Sequence, residues 1–162
     1  MKNVLKETSM KIILVSACLL GFECRYDGKS KPCEKVIDLA KAGDAVLIPV
    51  CPEQLGGLAT PRTPSERQRT EDGVLKSIST SGAVLMKDGT DVTDNYAKGA
   101  RIALETAKLN DVDFVILKSG SPSCGSGLIY DGSFTGSKAK GDGVTAELLK
   151  KEGFNVISEE DL

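Results

Sequence analysis

With 162 residues, 40% of them hydrophobic and 27% charged, the chain has the make-up of one soluble globular domain, and 21 Lys+Arg against 23 Asp+Glu leave a net charge of -2, too balanced for nucleic acid to be the main partner. It contains no histidine, which excludes Ser-His-Asp and Cys-His triads, zinc sites with imidazole ligands and histidine acid–base catalysis. At 4% aromatic residues and no Trp, its core must come from Val, Ile, Leu and Ala.

Residues 1–9 read as an extension, with translation starting at Met1 or Met10. Residues 11–17 (KIILVSA) are a near-continuous apolar run, predicted as a buried strand. Read on into Cys18, the run resembles a lipoprotein lipobox, but its apolar part is shorter than the roughly 7–15 residues of a signal h-region. No run approaches the roughly 20 apolar residues of a membrane span, so no membrane partner is expected. Glu34–Lys41 is predicted helical, closing on Gly43, and Ala45–Val50 is a second strand. Residues 55–69, rich in Gly, Pro and charge, read as a loop. Residues 74–78 and 83–86, followed by the turn signal Asp88-Gly89, read as a hairpin or flap.

Thr93–Leu109 is the clearest helix, with Thr93 as N-cap and Tyr96, Ala100, Ala103, Leu104 and Ala107 at helical spacing. Residues 113–118 form a third strand and residues 130–143 another loop. Val144–Lys151 is a last helix between a cap at Asp142 and a stop at Gly153, leading to a strand over 154–157. Strands alternating with helices predict an α/β domain with a mostly parallel sheet and a small hairpin insertion. Residues 10–162 are expected to form a single domain.

The five cysteines, at 18, 24, 33, 51 and 124, are odd in number and dispersed, which favours a reducing cytoplasm over a disulfide framework. Cys18 follows the first strand, Cys51 the second, and Cys124 lies in the loop after the third. In open parallel sheets the strand C-termini share one edge where ligands bind, so these three can converge, although a free cysteine is also a small apolar packing residue. No CxxC pair supports a zinc knuckle or a dithiol. Three thiolates suit an iron–sulfur cluster with one iron left open. A phosphatase reading of CLLGFECR fails on its spacing, one residue too long for that phosphate loop, and on the lack of an Asp-Pro general acid.

The motifs SACLLG and CRYDG (16–28), PVCPE and GGLATPR (49–62), LKSGSPSCG (117–125), IYDGSFTG (129–136) and GDGVTAELL (141–149) resemble, in order and from about Met10 onward, a family of small prokaryotic proteins whose characterised members are thiouracil desulfidases. The resemblance implies a Rossmann-like, three-layer α/β domain holding an oxygen-sensitive [4Fe-4S] cluster through Cys18, Cys51 and Cys124. It implies a non-redox desulfuration of a small thiolated nucleobase or similar thioamide, giving uracil and sulfide from 2-thiouracil. Glu53 would be the general acid or base and Ser121 would position substrate or relay a proton, with Ser123 as the rival serine. Arg62 and Lys118 would receive an anionic group of the substrate or shield the cluster.

Each role has a plainer counterpart. Glu53 can simply favour a helix N-terminus after Pro52, Ser121 and Ser123 can serve the turn around Pro122, and Arg62 and Lys118 can be surface charges. Cys33 and Cys24 stand outside the three-ligand set. If Cys24 also reached the cluster, the open iron would be closed and the chain would be a non-catalytic zinc, iron–sulfur or sulfur-handling protein. The oligomeric state is expected to be monomer or homodimer.

Overall fold

Residues 10–162 are described by a computed structural model, and the extension expected over 1–9 lies outside the described residues. In chain order the elements are β1 (Lys11–Ser16), α1 (Glu34–Lys41), β2 (Ala45–Val50), α2 (Pro52–Leu55), β3 (Ser65–Arg67), β4 (Val84–Met86), α3 (Thr93–Leu109), β5 (Phe114–Leu117), β6 (Leu128–Tyr130), β7 (Lys138–Lys140), α4 (Val144–Lys151) and β8 (Val156–Ser158), with 3-10 turns at Ala17–Leu20 and Glu159–Asp161.

The apolar runs become the central sheet because both of its faces are covered. Its order is β2-β1-β5-β8, all parallel. Alternate residues of β1 serve opposite layers: Ile13 and Val15 pack with Val36 of α1, and Leu14 with Leu104, Ala107 and Leu149 of α3 and α4. Each such buried Val, Leu or Ile side chain contributes about 1.5–3 kcal/mol. The arrangement is the expected three-layer, Rossmann-like α/β fold. Pro49 sits in β2 without disrupting the sheet because β2 is an edge strand. The chain runs from β1 outward to β2 and then crosses over to β5 on the other side, so a topological switch point lies at the C-terminal ends of these strands. Among the described residues no helix is long and apolar enough to cross a membrane.

Outside the sheet, several expectations are corrected. The stretch 74–78 does not pair with 83–86; β4 pairs antiparallel with β3, drawn from the stretch expected to be a loop. The reason is that β3 reads Ser-Glu-Arg, polar throughout yet buried, so hydropathy gives no strand signal. Its charges find internal partners. The Glu66 carboxylate accepts the backbone N–H groups of Gly132 and Phe134, and the Arg67 guanidinium donates to the Asp142 and Lys76 carbonyls and to Glu147. The Asp88-Gly89 turn does reverse the chain, bringing Asp91 back beside Leu85.

The second expected loop, 130–143, holds most of a small antiparallel pair, β6 with β7. Two caps also differ. Val92 and Gly143 occupy the N-cap positions of α3 and α4, while Thr93 Oγ1 accepts the N–H of Val84 and Asp142 accepts the N–H of Gly127 and the Lys150 ammonium. The final strand begins at Val156 rather than two residues earlier.

Candidate functional site

A cavity of about 300 Å³ opens at the C-terminal edge of the sheet, where the switch point puts it. Cys18 enters it from the turn after β1, Cys51 from the N-cap position of α2, and Cys124 from the loop after β5. The three predicted cysteines thus share one cavity, together with Glu53 and Ser121.

Two backbone devices fix them there. The first four N–H groups of a helix lack partners within it, and around the start of α4 the carbonyls of the cysteine loop supply them: Val144 donates to Pro122, Thr145 to Ser123, and the N-cap Gly143 to Gly125. Gly143 lies so close that a Cβ there would stand 2.4 Å from the Ser123 carbonyl. The motif GDGVTAELL is therefore the clamp of the motif SPSCG. The other device seats α2 on α3: a Cβ on Gly99 would lie 1.8 Å from the Pro52 carbonyl oxygen, and one on Gly56 2.0 Å from that of Asn95. Helix contact at backbone distance carries Cys51 and Glu53 onto the sheet edge. At that edge Ser16 Oγ accepts the Lys118 N–H at 2.9 Å, tying β1 to β5.

Cys24, outside the predicted ligand set, is a fourth cysteine of the cavity. It is 5% exposed and its thiol contacts those of Cys18 and Cys51. The hydrogen bond with Cys18, and then burial, push its thiol up to about 11. The hydrogen bond with Cys24, followed by burial, raises Cys51 well above the usual thiol range, and burial first of all raises Cys124 to about 12. Cys33, by contrast, caps α1 and is absent from the cavity wall.

The donor set discriminates between kinds of metal group. Among the described residues no three His, Cys, Asp or Glu side chains close around a point as a single ion requires. Thiols distributed along a cavity wall fit a multinuclear iron–sulfur cluster, whose separate irons take separate sulfur ligands, better than a closed zinc site.

The charged residues behave differently from expectation. The Arg62 side chain is 4% exposed and donates to Glu53 Oε2 through both Nε (2.8 Å) and Nη2 (2.5 Å), and to the Cys24 carbonyl at 3.0 Å. It joins the Glu53 helix to the Cys24 loop, so its donors are already engaged. Lys118 donates to Glu159 at 2.8 Å and to Ser119. Ser121 Oγ accepts the N–H groups of Ser123 and Cys124, each at 3.1 Å, while facing the cavity. Ser123 is 1% exposed, off the cavity wall, and shares a hydrogen bond with Thr145. Of the two serines only Ser121 meets the cavity.

Sequence reasoning missed Tyr96 and Ser65 on this wall. Tyr96 hid in the apolar stripe of α3, where its hydroxyl carries no sequence signal, and Ser65 in a strand without hydrophobic pattern.

Known proteins resemble this chain over nearly its whole length. A curated relative from Bacillus subtilis (strain 168), the uncharacterized protein YbbK, is 47% identical over 152 residues, covering 93% of this chain and 97% of its own. A solved structure described as the [4Fe-4S]-dependent thiouracil desulfidase TudS superimposes with a TM-score of 0.79 at 42% identity, over 95% of this chain and 93% of that one. The family model for 2-thiouracil desulfurase matches residues 13–161, and the chain therefore belongs to the 2-thiouracil desulfurase family.

Proposed function

We propose that this chain is a [4Fe-4S]-dependent desulfidase that replaces the sulfur of 2-thiouracil, or a similar thioamide, with the oxygen of water and releases sulfide. The observation that carries the reading is that three strand ends deliver Cys18, Cys51 and Cys124 to one cavity that also holds Glu53 and Ser121. These three cysteines would hold the cluster, which when bound supplies a sulfur-loving Lewis acid.

The chain's own residues supply the rest. In the net reaction a thiocarbonyl and water give a carbonyl and hydrogen sulfide, so a proton must leave the attacking water and protons must reach the departing sulfur. Glu53 is the group for that transfer: Arg62 anchors Oε2, Tyr96 stands beside the carboxylate, and its remaining acceptor positions are left for water or a ring nitrogen. Ser121 has both acceptor positions turned to the backbone and its O–H left to donate to substrate. Arg62 and Lys118 serve by holding Glu53 and Glu159 rather than by receiving substrate, and Ser123 supports the loop from behind. Residues 10–162 would be the functional unit, as a monomer or homodimer. Five unpaired cysteines suit a reducing cytoplasm.

A second reading has Cys24 in its favour, since a fourth thiolate would close the cluster and leave a non-catalytic module. Anaerobic reconstitution, iron and sulfide analysis, and an assay on 2-thiouracil separate the two. We expect a brown protein that releases sulfide. Cys18→Ser, Cys51→Ser and Cys124→Ser should each abolish cluster assembly, Cys33→Ser should not, and Glu53→Ala should keep the cluster and lose turnover. A preparation without iron would refute the desulfidase reading. A stable cluster that releases no sulfide, and is lost in Cys24→Ser, would establish the second.

A further inference from the structure

One wall of the cavity has no task in this mechanism. Ser65, the first residue of β3, lines it at 8% exposure, and its hydroxyl is buried without any hydrogen-bond partner. A buried hydroxyl stripped of water and left unpaired is a cost to the fold, and such a group facing a cavity marks where a ligand can complete it.

Beside it stands Tyr96 of α3, 2% exposed and on the same cavity wall, its phenol bordering both the Ser65 hydroxyl and the Glu53 carboxylate. Burial first, and Glu53 next, raise this phenol well above its usual range, so it remains an O–H donor. The apolar packing does not ask for either oxygen. The Tyr96 ring packs with Val84, Val92 and Ala100, where a phenylalanine would serve equally, and the pairing of β3 with β4 is made by backbone. Both residues line the cavity, and their oxygens stand beside one another and beside the Glu53 carboxylate.

We propose that Ser65 and Tyr96 are a specificity-determining pair that reads the carbonyl and adjoining N–H of the substrate ring, so that the substrate class is a cyclic thioamide bearing a second ring carbonyl. The inference rests on the desulfidase reading. Tyr96 donates to the ring carbonyl, and Ser65 accepts from the N–H or shares the carbonyl. A site built to hydrogen-bond a group rejects the analogue lacking it more strongly than an apolar pocket does, because its own buried polar atoms are then left unpaired.

The test compares 2-thiouracil with pyrimidine-2-thiol, which lacks the carbonyl, in reconstituted wild type, Tyr96→Phe and Ser65→Ala, with iron content and melting temperature as folding checks. A turnover-free measurement, uracil binding by calorimetry, runs in parallel. Each variant should retain its iron, raise KM for 2-thiouracil roughly 10-fold or more with a smaller change in kcat, reduce the preference for 2-thiouracil by a similar factor, and weaken uracil binding to match. Ser65→Ala removes an atom that has no partner, so it carries the test even if Tyr96→Phe does not fold. Variants that discriminate the two substrates and bind uracil as the wild type does would overturn the pair while leaving the desulfidase reading intact. Wild type that holds iron but desulfurates nothing would overturn that reading instead.

Discussion

Arg62 shows how the fold can engage a side chain that its motif offers as a substrate ligand. In the sequence it is a cation in the motif GGLATPR; in the fold its guanidinium grips Glu53 and the Cys24 carbonyl with only 4% of the side chain exposed. A buried pair adds little net stability, yet breaking it from one side strands the remaining charge. Arg62→Met should therefore lower unfolding stability by about 3–5 kcal/mol. Adding Glu53→Gln to it should recover part of that loss, as read from urea denaturation of the single and double variants. Equal losses in both would mean that the pair is not what holds these loops together. The convergence of Cys18, Cys51 and Cys124 on one cavity was legible because each lies after an apolar run that becomes a strand of the sheet. Arg62's partner was not, because the contact depends on where α2 docks.

At the level of elements, the seating of α2 on α3 decides the site. This four-residue helix has too few residues to be stable alone, and Gly56 and Gly99 let it lie against α3 at backbone distance. Gly99→Ala adds a methyl where Pro52 already stands. Helix propensity favours alanine by about 1 kcal/mol, but overpacking costs about 1–3 kcal/mol, and the clash is with backbone, which yields least. The expected result is a lower melting temperature and a larger fractional loss of bound iron than of helix content, measured by iron analysis and circular dichroism on the same sample. A variant that is more stable and fully loaded would show α2 free to move aside. The main helices and parallel strands were readable from helical period and apolar runs. The strands β3, β6 and β7 were not: they are three residues each, and β3 is polar because its partners lie up to 80 positions away in the chain.

Across the whole molecule, the C-terminal segment returns to close the layer beside the site. After β8 the chain makes a 3-10 turn capped by Ser158, and Glu159 reaches back to the motif LKSG, accepting from Lys118 and from the N–H and hydroxyl of Ser119. Burial opposes the charge on Glu159, but these hydrogen bonds outweigh it and hold its carboxyl below the usual range. A carboxyl whose folded value is depressed stabilises the fold at pH above its unfolded value, about 4.3, and that contribution fades as pH falls through the folded value. Glu159→Gln should therefore cost about 1.5–3 kcal/mol at pH 7, the range for hydrogen bonds to a charged group. The gap between variant and wild type should shrink as pH drops from about 5 toward 3. Other carboxylates, such as Asp113, which accepts the N–H of Ile12, titrate in both proteins, so the difference curve isolates Glu159. Urea denaturation of the two proteins at closely spaced pH values measures it, and a gap that stays constant with pH would show that the residue acts through packing and not through its charge.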